Sequence, residues 1–186
     1  MSSNDGYIRD ILLSKAEAEY GSEYKSHCLD IYKAFVESAD KNSSRRLTAN
    51  GFFITINTIL IGGLTVGLKK APLDTSLVIE ISDDSSSSII FLIACLGLLV
   101  SFIWRRLVQS YRDLNTAKFK VIHEMEKVLP FAAYDAEWEA AGRGKNPKKY
   151  LQFTVIEKRV PTLFLLFYTL LLFATIFNLY RGFCIS

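Results

Sequence analysis

The chain has 186 residues, half of them hydrophobic, and a formal net charge of only +3. Three scattered cysteines and a mild positive balance exclude a disulfide-stapled secreted scaffold. They also argue against a nucleic-acid surface, since no basic stretch is interleaved with aromatics.

In chain order, residues 1–20 read as weakly helical, with Ile8, Ile11 and Leu12 apolar. A clearer pattern follows. Tyr24, Cys28, Ile31, Phe35 and Ala39 recur at helical steps, opposite Asp30, Lys33, Glu37 and Asp40. This is one apolar stripe of an amphipathic helix. The whole stretch 1–46 is expected to be a cytoplasmic amphipathic helical region.

Residues 47–68, LTANGFFITINTILIGGLTVGL, carry no formal charge. At about 1.5 Å rise per residue, such a segment covers roughly 30 Å, the thickness of the lipid interior. A short acidic loop, 69–84, leads to a second span, 85–104, and the helical pattern then continues. Beyond Arg105 and Arg106, the residues Tyr111, Leu114, Lys118 (through its stem), Val121, Met125 and Val128 share one face up to Pro130. Two amphipathic helices, one before the first span and one after the second, are expected to bury their apolar faces against each other. Segment 105–159 ends in a connector with a Gly-containing turn. The last span, 160–181, begins with Pro161 at a position where a missing N–H costs nothing. A tail, 182–186, closes the chain.

The fold class is therefore all-α: an integral membrane protein with three transmembrane helices and a cytoplasmic helical bundle. Loop cations set the direction. Segment 69–84 carries two Lys beside four acids, whereas 105–159 carries twelve Lys and Arg against seven acids. With Arg45, Arg46, Arg105 and Arg106 as headgroup-level cations, the N-terminus and the long second loop lie inside.

The first span has a polar side. Asn50, Asn57, Thr58 and Thr65 fall within an arc of about 100° on a helix, with Thr55 just beyond it. An amide facing lipid needs a partner. Three readings are open: the stripe glues helices together, it lines a polar path in a ring of copies, or each Thr bonds its own backbone and only the two Asn need explaining. Gly63 with Gly67, and Gly97 with Ser101, form small-xxx-small pairs suited to close helix packing.

Catalytic signatures are lacking. His123-Glu124-Met125-Glu126 has no second His at zinc-motif spacing, and there is no phosphate loop, dinucleotide fingerprint or nucleophile elbow. The expectation is a non-enzyme without metal or cofactor.

Tyr32 to Asp40, Ser44-Arg45-Arg46, Ala49-Asn50, Phe52-Phe53, Asn57-Thr58, Leu114 to Glu126, Leu129-Pro130, Glu137-Trp138-Glu139 and Glu157 to Pro161 together resemble the bacterial RipA family of small membrane proteins. That resemblance implies an inner-membrane protein assembling as an octamer, and carries no catalytic or ligand residues. The functional expectation is a homo-oligomeric ring in contact with membrane lipid, acting as scaffold or channel-like assembly. The competing expectation is a membrane-resident effector or sensor, answering a cytoplasmic signal or protein partner in stress or phage defence.

Overall fold

A computed structural model describes residues 3–68, 84–145, 150 and 153–185. The loop expected at 69–84 falls almost wholly outside the described residues. Those residues are helical, with no strand among them: α1 (Ser3–Leu12), α2 (Glu17–Tyr20), α3 (Tyr24–Leu68), α4 (Asp84–Glu126), α5 (Ala133–Ala140), a short 3-10 turn (Gly142–Gly144) and α6 (Phe153–Ile185). Three helices, over Tyr24–Thr65, Ser87–Glu126 and Ile156–Arg181, are long and apolar enough to cross a membrane. At 45 and 43 residues, α3 and α4 run well beyond a bilayer's needs. No proline interrupts either one, so their backbone ladders continue from apolar into charged sequence.

The chain divides into two compact units: Met1–Leu47 with Ser110–Val155, and Thr48–Gln109 with Ile156–Ser186. In the first, the amphipathic parts of α3 and α4 pack on each other. Lys118 Nζ donates to Ser38 Oγ at 2.6 Å and lies over the Phe35 ring, 5.6 Å from its centroid. Ile122 and Ala39 are buried in this unit. Phe35, Ala39, Lys118 and Met125 lie on the inward side as expected, but the face departs from the expected one in places. Ile31 and Leu114 are exposed, while Tyr32 and Asn115 turn partly inward. The cause is a polar tertiary bond that apolar periodicity does not report. The Tyr32 hydroxyl donates to Glu126 Oε1 at 3.1 Å.

Glu126 is the organising residue of this unit. It is buried, and besides the Tyr32 hydroxyl it accepts the backbone N–H of Tyr134 at 2.8 Å and of Asp135 at 3.0 Å. These are first-turn amides of α5, whose N-cap residue, Ala132, has no side chain able to bond them. A carboxylate from the end of α4 therefore caps the next helix, where unpaired amides and the helix dipole both favour an anion. α4 stops at Glu126, whose carbonyl accepts from the Leu129 N–H because Pro130, four residues on, has no N–H to offer it.

The turn after α5 is tight. Gly142, Arg143 and Gly144 all have positive φ, and Arg143 is the non-glycine among them at 50°. Its side chain is tied to Glu139 and Asp135, which offsets the left-handed backbone.

The last helix corrects one expectation. α6 starts at Phe153, so Pro161 lies inside it and not at its first position. The ring removes one backbone hydrogen bond, a defect worth about 3 kcal/mol in an isolated helix. The helix persists because Pro161 is buried among the residues of its own unit and Glu157, a turn earlier, is anchored to α3.

Burial and the bond to Glu126 push the Tyr32 phenol up to about 12, from an ordinary 10.0. The folded chain thus holds this proton more tightly than an unfolded one. Its stabilising contribution is complete below pH 10 and is lost as pH rises toward 12. In an alkaline titration followed at 295 nm, Tyr32 should ionise late among the nine tyrosines. Tyr32→Phe should remove that late step and reduce the loss of helicity above pH 10.

Candidate functional site: the polar core of the membrane unit

The second unit is an apolar bundle with a polar interior. On α4, the residues Ile90, Ala94, Gly97, Ser101, Trp104 and Val108 are all buried, at alternating steps of four and three. On α6 the same spacing relates Glu157, Pro161, Phe164, Tyr168 and Thr175, and on α3 it relates Phe53, Asn57, Leu60 and Leu64. A repeat of about 3.5 residues keeps one seam of each helix facing its neighbours. Phe53 and Trp104 stack with ring centroids 5.8 Å apart, and Phe164 lies against the other ring at 5.9 Å.

Within these seams the polar groups find one another. The Trp104 indole N–H donates to Asn50 Oδ1 at 2.8 Å, and Asn50 Nδ2 donates to Glu157 Oε1, also at 2.8 Å. One amide thus joins all three spans, using both its acceptor and its donor. Seven residues on, Asn57 is fully buried; its Nδ2 donates to the Phe53 carbonyl at 2.8 Å and its Oδ1 accepts from Ser101 Oγ at 3.4 Å. In an apolar surround, an unpaired amide or carboxylate would cost several kcal/mol. Each therefore fixes the rotation of the helix that carries it.

Gly97 and Ser101 face into this interior together. A methyl group at Gly97 would overlap the Tyr168 ring. The Tyr168 hydroxyl is itself buried without a hydrogen-bond partner among the described residues, so close packing over the glycine holds the ring in place. Gly63 sits differently: it is exposed, and an added methyl would make only ordinary contact with Ile93. The surroundings of Gly67 lie outside the described residues.

The structure separates the two asparagines from the threonines. Thr55, Thr58 and Thr65 are exposed, and each donates to its own helix, to the carbonyls of Gly51, Ile54 and Gly62 at 3.0, 2.9 and 2.7 Å. Arg45, Arg105 and Arg106 are exposed and Arg46 is half-buried. Trp104, Glu157 and Tyr168 were missed as interior polar groups. Trp104 read as the end of a span, and Glu157 fell just outside the expected start of the last one. The heptad step from Glu157 through Pro161 and Phe164 to Tyr168 was the signal that could have found the carboxylate.

Three long apolar helices joined by buried amide, indole and carboxylate groups define a multi-span helical membrane protein. The octameric membrane protein family (8xMP) matches residues 29–177, and the chain belongs to this family. It is accordingly a homo-oligomeric membrane protein. No curated protein and no solved structure gives a match.

Removing the Asn50 amide strands two partners at once. Asn50→Leu should lower stability in detergent by about 2–3 kcal/mol, and Trp104→Phe, which keeps the ring, by about 1 kcal/mol. A thermal-unfolding double-mutant cycle should show the two to be strongly non-additive. Gly97→Ala should destabilise by about 1–3 kcal/mol through overpacking, and Tyr168→Leu in the same chain should restore part of that loss.

Proposed function

We propose that the chain forms a homo-octameric ring in the bacterial inner membrane and serves as a membrane scaffold or channel-like assembly. In it, the outer seam of α3 meets other copies. The observation that carries this reading is a second stripe on α3, turned away from Asn50 and Asn57. Ser44, Thr48, Gly51, Thr55, Thr58, Gly62 and Thr65 recur at steps of four and three, and every one is exposed. Nothing lies within 4 Å of a methyl placed on Gly51 or Gly62. The fold of one copy therefore does not require these glycines. Contact between copies does, since small residues let helix backbones approach closely in a membrane.

The hydroxyls add a second property. Thr55, Thr58 and Thr65 have each spent their proton on their own helix but keep acceptor capacity on oxygen. A ring of such oxygens can meet a neighbouring helix or line a hydrated passage. The motif resemblance to RipA supports the inner membrane as the location. The cations Arg45, Arg46, Arg105 and Arg106 support a cytoplasmic N-terminus. The sequence carries no recognised catalytic signature, and we propose a non-enzymatic role.

Gly62→Leu separates the two roles of the stripe, because the protomer has room for the side chain. The octamer should break into smaller species on native mass spectrometry while the helical content is kept. An intact octamer with altered conductance in planar bilayers would move the stripe to the lumen. An intact octamer with unchanged conductance would defeat both. In spheroplasts, Lys33→Cys should resist a membrane-impermeant maleimide until the cells are opened.

A further inference from the structure

A ring whose copies all insert in one direction joins each copy to the next through two different faces, since a face that meets itself closes at two copies. The chain belongs to an octameric family, so a second copy is the occupant such faces await. One face is the outer seam of α3. The other has to be a different exposed seam of the same chain, and α4 carries one. In the membrane unit, Leu92, Leu96, Leu99 and Ile103 recur at steps of four, three and four, all of them large and exposed. In the first unit, Asp113, Ala117 and Lys120 keep the same spacing and are again exposed. This seam is turned away from the buried one that runs through Ala94, Ser101 and Val108.

We infer that the outer seam of α3 in one copy packs antiparallel against the outer seam of α4 in the next. The inference rests on the proposed ring and on the role given there to the α3 seam. Rotation about an axis normal to the membrane keeps every copy at one depth, so residues that are level within a copy are also level between copies. In the membrane unit, the bonds of Asn50 with Trp104 and of Asn57 with Ser101 set those levels. Thr58 then falls beside Leu99, and Gly62 beside Leu96, so a small residue receives a large one at each contact. In the first unit, the bond of Lys118 with Ser38 sets the level, and it brings Glu37 beside Lys120. Lys120 is exposed and has no hydrogen bond or ion pair among the described residues. Glu37 holds Lys41 through one oxygen, at 2.7 Å, and keeps acceptor capacity on the other. Opposite charges at one level select this partner and this register. α6 exposes a comparable ridge at Leu163, Leu166 and Leu170, but it starts at Phe153 and brings no outer seam to the first unit to answer Glu37.

The test uses the full-length protein in its native membranes, with the three cysteines replaced by alanine. Thr58→Cys and Leu99→Cys are placed in one chain and oxidised with copper phenanthroline. Links between copies should give a ladder of bands on a non-reducing gel, and each single variant should stay at the size of one chain. Glu37→Cys with Lys120→Cys should give the same ladder. Thr58→Cys with Leu170→Cys, which reports α6 as the neighbour, should give none. A ladder from the α6 pair without one from the α4 pairs overturns the inference, as does a dimer from Thr58→Cys alone. Native mass spectrometry of the same preparations separates the two readings. An intact octamer without α4 links overturns the pairing and leaves the ring; absence of any octamer in the wild-type protein overturns both. A second measurement uses charge. Glu37→Lys should shift the detergent midpoint of octamer dissociation by about threefold, and Lys120→Glu in the same chain should restore it. Loss of the Glu37 bond to Lys41 within the helix would not be rescued in this way, so failure of the rescue counts against the pairing.

Discussion

The arrangement of the membrane unit depends on one side-chain amide. Asn50 takes the indole proton of Trp104 on α4 and gives its own to Glu157 on α6. Apolar side chains can slide or rotate against one another at modest cost where no water competes, because lipid is as apolar as they are. A donor or acceptor cannot, since each turn away from its partner exposes an unpaired group. The Asn50 bridge thus selects one rotational setting for three helices, and the aromatic stack of Phe53, Trp104 and Phe164 fills the space that this setting leaves. Asn57 and Ser101 repeat the device one heptad deeper.

The same logic operates in the other unit with a carboxylate in the central place. Glu126 is buried, yet its two oxygens gather three donors from two other helices. In both units, then, the position of a helix is set by polar side chains and its burial by apolar ones. The exposed threonines show the opposite use of polarity, with their protons returned to the helix that carries them.

Much of the architecture was legible in the sequence. Three charge-free stretches announced the spans, and the lack of proline between 24 and 68 and between 84 and 126 foretold long continuous helices. The all-helical class followed from the same residues, whereas the octamer was implied only by the family resemblance of other motifs and is supported by the family match. Rotational detail was not legible. A repeat of 3.6 cannot be told from one of 3.5 over a few turns, which is why Leu114 was read inward where Asn115 turns in. Glu157 was overlooked because a carboxylate beside a span reads as its border. Pro161 was read as a helix start because the tertiary anchor that keeps the preceding turns helical lies a hundred residues away. The two asparagines were recognised as needing company, but a linear pattern could not name Trp104 or Glu157 as that company.

The glycine beneath Tyr168 has a mechanical corollary. A phenol ring seated on a residue with no side chain is a key in a notch: sliding α6 along α4 in either direction drives the ring into the Cβ-bearing residues beside Gly97. Such a pair does not creep; it stays put or jumps a full turn. Any rearrangement of this bundle must therefore carry α4 and α6 as a single block.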